Sequence, residues 1–209
     1  MALMLANCSF RQKTQLTTQY EYDDKGRLVS IISPDSSKMQ MKYNEMGLPL
    51  EIHYPNGSIQ YGYDDNGNRI WMEDDTGISE YYYDVFDRLV GVIWQHKLRQ
   101  LITYTYDAFD NLTGLEVFNL ELMKQNSKYK DQLELLTSNP SEKVQKQKEQ
   151  KLLLQQVMDM LENEDEQGIR NYRQYSVRYG YDVLGNITGI YTNGESILYF
   201  SPIRKRKLV

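Results

Sequence analysis

A single cysteine, Cys8, stands in a chain of 209 residues, which excludes any disulfide within it. Histidine is nearly as scarce: His53 and His96 are too few and too far apart for a metal-ligand spacing. Nothing approaches about eighteen consecutive apolar residues, so no segment reads as a membrane span. Positive charge is also in deficit, with 24 Lys and Arg against 29 Asp and Glu. The resulting net charge of −5 gives no electrostatic case for a nucleic-acid partner. The local exception is the basic tail 201–209 with "IRKRK" at 203–207, read as a solvated terminus. The opening "MALMLANCSF" lacks a basic n-region and is too short for a secretory signal. Its "LANC" only faintly resembles a lipoprotein cysteine, because Asn7 is bulky for that position. The missing signal fits a cytoplasmic protein, a product exported by another route, or a fragment of a longer chain.

Catalytic signatures are missing too. The sequence has no G-x-S-x-G, no P-loop, no H-E-x-x-H and no paired cysteines. The expectation is therefore a non-enzyme without cofactors. His53 and His96 fall on or beside predicted strands, where a histidine is more often a surface or interface residue than a catalyst.

What the chain has in abundance is tyrosine, 18 residues, with 13 glycines, a composition of strands and turns. The tyrosines repeat. "YEYDDKGRL" from Tyr20 recurs as "MKYNEMGLP" from Met41, "YGYDDNGNR" from Tyr61, "YYYDVFDRL" from Tyr81, "YTYDAFDNL" from Tyr104 and "YGYDVLGNI" from Tyr179. Counted from the second aromatic (Tyr22, Tyr43, Tyr63, Tyr83, Tyr106, Tyr181), the steps are 21, 20, 20, 23 and 75 residues. The last step is the same period with an insertion.

Aromatics at i and i+2 share one face of a strand. The Asp or Asn that follows is a favoured first turn residue, since its side chain can accept from backbone N–H groups ahead of it. Three positions on stands Gly26, Gly47, Gly67 or Gly185, suited to positive φ, with Asp87 and Asp110 as substitutes. A short apolar strand and a second turn, such as "PNG" at 55–57 or "DDTG" at 74–77, complete the period. Each repeat is a β-hairpin. The predicted fold is mainly β, an antiparallel meander of about twelve strands.

These repeats resemble the YD repeat of the Rhs family, whose motif is nearly verbatim at Tyr20–Leu28. The resemblance covers residues 10–118 and 168–200. The family includes bacterial polymorphic toxins, the cocoon component of insecticidal toxin complexes and the teneurins. It implies a partial β-shell, a secreted or cell-surface setting, and partners among other shell segments or a toxin cargo. The chain departs from the family pattern in carrying only six units. It also lacks the Asp-Pro and glycine-rich closing segment and a toxin-sized C-terminal domain, which argues against encapsulating a toxin by itself.

The sheet is expected in two pieces, residues 10–118 with five repeats and 168–200 with the sixth, around an inserted helical hairpin at 119–167. That insertion has no glycine and is dense in Leu, Gln, Lys and Glu. Leu122, Tyr129, Leu133 and Leu136 recur at helical spacing, interrupted by Asn126. After a break at "TSNPSE", with Asn139, Pro140 and Glu142 as capping residues, a second helix carries Val144, Lys151, Leu154, Met158 and Leu161 and ends before Gly168. The hairpin reads as a tolerated excursion covering one sheet face, or as a partner-docking arm.

Two further readings attach to the repeats. "DDNGN" at 64–68 places Asp64, Asn66 and Asn68 as a calcium loop would, but Arg69 stands where such a loop requires glycine. Asp23, Asp64, Asp84, Asp107 and Asp182 therefore read as turn residues. Tyr61, Tyr63, Tyr81, Tyr83, Tyr104 and Tyr106 are the candidate contacts for a glycan or protein partner, since a tyrosine joins a flat apolar ring to a hydrogen-bonding tip. The leading expectation is a structural shell segment with open edge strands that self-associate or co-assemble. The alternatives are a carbohydrate or cell-surface binding module and an adaptor acting through the helical arm.

Overall fold

The computed structural model describes residues 17–95, 97, 99–137, 147–193 and 195–199. Cys8, His96, Asn139, Pro140, Glu142, Val144 and the basic tail lie outside them. The chain divides into two compact units, Met1–Ser58 and Ile59–Val209.

In the first unit β1 (Gln19–Tyr22), β2 (Leu28–Ile32), β3 (Lys38–Tyr43) and β4 (Pro49–Tyr54) pair in sequence order, each antiparallel to the last. The second unit begins within β5 (Gly57–Tyr63) and continues through β6 (Arg69–Asp74), β7 (Gly77–Tyr83), β8 (Leu89–Gln95), β9 (Gln100–Tyr106) and β10 (Leu112–Asn119). Four helices follow: α1 (Leu120–Lys124), α2 (Ser127–Leu136), α3 (Gln147–Glu162) and α4 (Glu166–Arg170). Then β11 (Arg173–Tyr181), β12 (Ile187–Thr192) and β13 (Glu195–Tyr199) resume the meander, β11 pairing with β10 as if the helices were absent. Thirteen strands are thus formed among the described residues, in the expected antiparallel meander.

One turn design recurs in every repeat. The first residue donates its N–H to the carbonyl four positions on, as Asp64 does to Asn68 at 3.0 Å and Asp84 to Arg88 at 2.9 Å. The residue three positions on donates back to it and takes positive φ: +87° at Gly67, +58° at Asp87 and +65° at Asp110. The aspartate Oδ1 accepts the N–H groups two and four residues ahead, 3.0 and 2.8 Å from Asp64. At the last residue before each turn the register slips by one residue, as between Gly62 and Tyr63 or Tyr82 and Tyr83. This β-bulge in each repeat adds twist at a fixed point of the period.

The core lies on one face of the second unit's sheet. Tyr82, Ile93, Leu101 and Phe118 point to it, against Leu133 and Leu136 of α2 and Leu154, Val157 and Leu161 of α3, all buried. Gly91 permits the close approach: a Cβ there would come within 2.6 Å of Leu154 Cδ2. The helical segment differs from two long helices. Asn126, read as an interruption, is the N-cap of α2, its side chain accepting from the Lys128 N–H at 2.9 Å. Asn119 caps α1 in the same way, so Leu120 and Met123 are buried while Leu122 is exposed. Gly168 lies inside α4, which Asp165 caps, and not beyond the last helix.

Candidate functional site

Strand alternation turns Tyr82 into the core and leaves Tyr81 and Tyr83 on the opposite face. Tyr61 and Tyr63 of β5 and Tyr104 and Tyr106 of β9 share that face, all half-buried. The two tyrosines of a pair have different work. The second reaches back to the preceding strand and donates its hydroxyl to a main-chain carbonyl: Tyr43 to Leu28 (2.7 Å), Tyr83 to Arg69 (3.0 Å), Tyr106 to Leu89 (2.8 Å) and Tyr181 to Leu112 (2.8 Å). In each case the acceptor is the fifth residue after the preceding repeat's turn Asp. Burial raises the hydroxyl pKa of Tyr83, Tyr106 and Tyr181, and also that of Tyr63 and Tyr104. The first tyrosines behave otherwise: the hydroxyls of Tyr61, Tyr81 and Tyr104 bond to no described residue.

Arginine completes the face. At the fourth position after the turn Asp, Arg27 and Arg88 donate Nε to Asp23 and Asp84, each at 2.7 Å. They stack 4.9 Å from the rings of Tyr43 and Tyr106. Arg88 also reaches forward to Asp110 at 2.7 Å, and Asn66 and Asn68 reach forward to Asp87 at 2.9 and 2.7 Å. The aspartates at positive φ are therefore acceptors linking neighbouring turns, which is what they offer in place of glycine.

In repeat three the fourth position is Asn68, which donates to Asp64 Oδ2 at 3.1 Å as Asn111 and Asn186 do to Asp107 and Asp182, but an arginine stands one place later. Arg69 lies 4.4 Å from the Tyr81 ring and 6.0 Å from that of Tyr61. Its Nε is buried without a partner, and no described carboxylate lies within ion-pair distance of it. The corresponding residues elsewhere are Leu28, Pro49, Leu89, Leu112 and Ile187. In the sequence Arg69 spoke only against a calcium loop, although its place one position late in the repeat was visible there.

The turn carboxylates are engaged as acceptors. Hydrogen bonds from the Arg27 main chain hold the Asp23 pKa down, and the amides of Asn111 and Asn186 do the same for Asp107 and Asp182. Asp64 accepts from Asn66 and Asn68 in the same geometry, so the residues that resembled a calcium loop bind one another. His53 lies on β4, 2.7 Å from Glu51. Two concavities flank the helices. One, about 360 Å³, is lined by Asp64, Asn66, Tyr83, Asp87 and Lys151 among others. The other, about 370 Å³, has Glu116 Oε1 accepting from Arg173 and Arg178, both at 2.9 Å.

No family model matches the chain, and no curated protein does. Among solved structures, the crystal structure of TcdB2-TccC3-TEV is similar at 15% identity and a TM-score of 0.46, over 87% of this chain and 9% of the other. TcdB2-TccC3-Cdc42 gives 16% and 0.44 over the same shares, and TcdB2-TccC3 gives 16% and 0.44 over 85% and 9%. This chain thus spans about a tenth of the length of those it resembles.

Proposed function

We propose that the chain is a non-catalytic structural segment of a YD-repeat β-shell, belonging to a secreted or cell-surface toxin-type system and packing against other shell segments or a cargo. The observation that carries this reading is the use of the recurring residues. The second tyrosine of a pair is tied to a main-chain carbonyl of the preceding strand, and the turn aspartates are tied to their own loops. A pattern that recurs and is consumed by holding strands together is the signature of building material. The strand β1, exposed at all four positions, offers an edge for pairing with another chain. Light scattering on the full chain tests the reading at micromolar concentrations. Self-association, or co-assembly with a neighbouring gene product, is expected; a strictly monomeric species that joins no such product overturns it.

A second reading, a carbohydrate-binding face, is favoured by the first tyrosines, whose hydroxyls at Tyr61 and Tyr81 no described residue engages. Glycan binding lost on Tyr61→Ala and Tyr81→Ala with unchanged stability is the expected result; no binding to any glycan removes it. The helical arm is less available as an adaptor surface, since its apolar stripe of Tyr129, Leu133, Leu136, Leu154 and Leu161 is buried against the sheet.

A further inference from the structure

We infer that the apolar tips of three successive hairpin turns in the second unit are the docking edge for the chain's own basic tail, residues 201–209. The inference rests on neither the shell reading nor the carbohydrate one. Each turn has two residues at its tip, between the first aspartate and the residue at positive φ. In repeats four to six these are Val85 and Phe86, Ala108 and Phe109, and Val183 and Leu184. All but Ala108 are at least 72% exposed. The turn does not call for them, since the earlier repeats place Asp24 and Lys25, Glu45 and Met46, or Asp65 and Asn66 there. Exposed this far, they contribute nothing to the core either. Arg88 bonds forward to Asp110 at 2.7 Å, and a Cβ at Gly185 would lie 3.8 Å from Asn111 Oδ1, so the three turns abut. Together they form one apolar row on the order of 500 Å², a size that on a monomer marks an interaction site.

Charge and geometry select the occupant. The same turns carry Asp84, Asp87, Asp107, Asp110 and Asp182 against one cation, Arg88, a formal charge of −4. That rim repels an anionic membrane, and a second copy laid edge to edge would set aspartates against aspartates. The partner that fits is a basic segment with apolar residues of its own. Residues 201–209 contain Arg204, Lys205, Arg206 and Lys207 between Ile203 and the pair Leu208 and Val209. The sheet delivers that segment to this edge. β12 leaves its turn at Ile187, and β13 returns alongside it, with Thr192 opposite Glu195 and Gly189 opposite Tyr199. The end of β13 at Tyr199 therefore points towards the row of tips. Strands about 4.8 Å apart put the most distant of the three turns roughly 26 Å from β13. Nine extended residues reach about 30 Å.

NMR on the full chain tests the inference through the methyls of Val85, Val183 and Leu184 and the rings of Phe86 and Phe109. Nuclear Overhauser contacts from these groups to Ile203, Leu208 or Val209 are expected. They should arise within one copy, as a mixture of isotope-labelled and unlabelled chains shows. Reversing the tail, with Arg204→Glu, Lys205→Glu, Arg206→Glu and Lys207→Glu together, should abolish them. The reversed chain should then bind a synthetic peptide of residues 201–209 at least about tenfold tighter than the natural chain, whose tethered tail competes. Phe86→Ser, Phe109→Ser and Leu184→Ser together should abolish the contacts and the peptide binding at an unchanged thermal midpoint, because these side chains are exposed. No contact between tail and tips would overturn the inference. So would contacts found only between copies, contacts that survive the reversal, or equal peptide binding by both chains. Phosphatidylcholine vesicles that broaden the tip resonances of the natural and reversed chains alike would make lipid the occupant and overturn it too.

Discussion

The hydroxyl of Tyr106 on β9 donates to the main-chain carbonyl of Leu89 on β8 across 2.8 Å, while Tyr104, two residues earlier on the same face, bonds to no described residue. The pair provides its own control. Tyr106→Phe should cost about 0.5–1.5 kcal/mol, the net worth of a partly buried hydrogen bond. Tyr104→Phe should cost less. Urea unfolding with unchanged m-values measures both, and equal costs would deny the tyrosine–carbonyl bond its structural role.

Positive φ separates the turn residues in another way. Gly67→Ala places a side chain at φ +87° and should destabilise by about 1–2 kcal/mol. Asp87→Gly relieves the same constraint at +58° and gives up the exposed bonds from Asn66 and Asn68. The two effects oppose, and the net change should stay within about 0.5 kcal/mol. Thermal unfolding of the two variants reads the difference directly.

Acid should act on the turns together. The pKa of Asp23 is held down by hydrogen bonds from Arg27, that of Asp107 by Asn111 and that of Asp182 by Asn186. For Asp84 burial pushes upward, but the hydrogen bonds from Arg88 and Phe86 outweigh it. A carboxylate whose pKa is lower folded than unfolded adds stability above the unfolded value. That stability is lost as pH falls through the folded one. Stability should therefore hold down to about pH 4 and then decline. Asp107→Asn should flatten that decline in acid titrations of the unfolding midpoint; an unchanged slope would place the acid sensitivity elsewhere.

Leu154 and Gly91 should be coupled. Leu154→Ala opens a cavity in the core and should cost about 2–5 kcal/mol. Gly91→Ala drives a methyl to 2.6 Å from Leu154 Cδ2 and should also destabilise. The double variant makes room for that methyl, so its cost should fall short of the sum of the two. Additive costs in a double-mutant cycle would mean that α3 does not rest on Gly91.

The hairpin array was legible because its two signals reinforce each other. A period-two aromatic pair fixes the face, and Asp followed by a positive-φ residue fixes the turn. The helical segment was only half legible. Asn126 breaks an apolar stripe whether it interrupts one helix or caps another, and only the backbone decides between them. Val157 was missed for a related reason, since Leu154, Met158 and Leu161 already satisfied the helical spacing beside it. Which tyrosine hydroxyl is engaged could not be read at all, because the partner is a carbonyl that every residue possesses. Arg69 entered the sequence argument only as the residue that spoils a calcium loop, because an arginine near a turn looks ordinary until its five counterparts are aligned with it.

The tyrosine-to-carbonyl bonds all run the same way along the sequence, from a later strand to the one before. The array therefore has a head and a tail. At the head Tyr22, 61% exposed, carries a donor with no earlier repeat among the described residues to receive it. At the tail Ile187 occupies the acceptor position that Leu112 fills for Tyr181. Among the described residues, then, the head presents a donor and the tail an acceptor position, so repeats can be added in one polarity only. Lengthening such an array needs no new chemistry, and reversing a repeat within it would break two bonds at once.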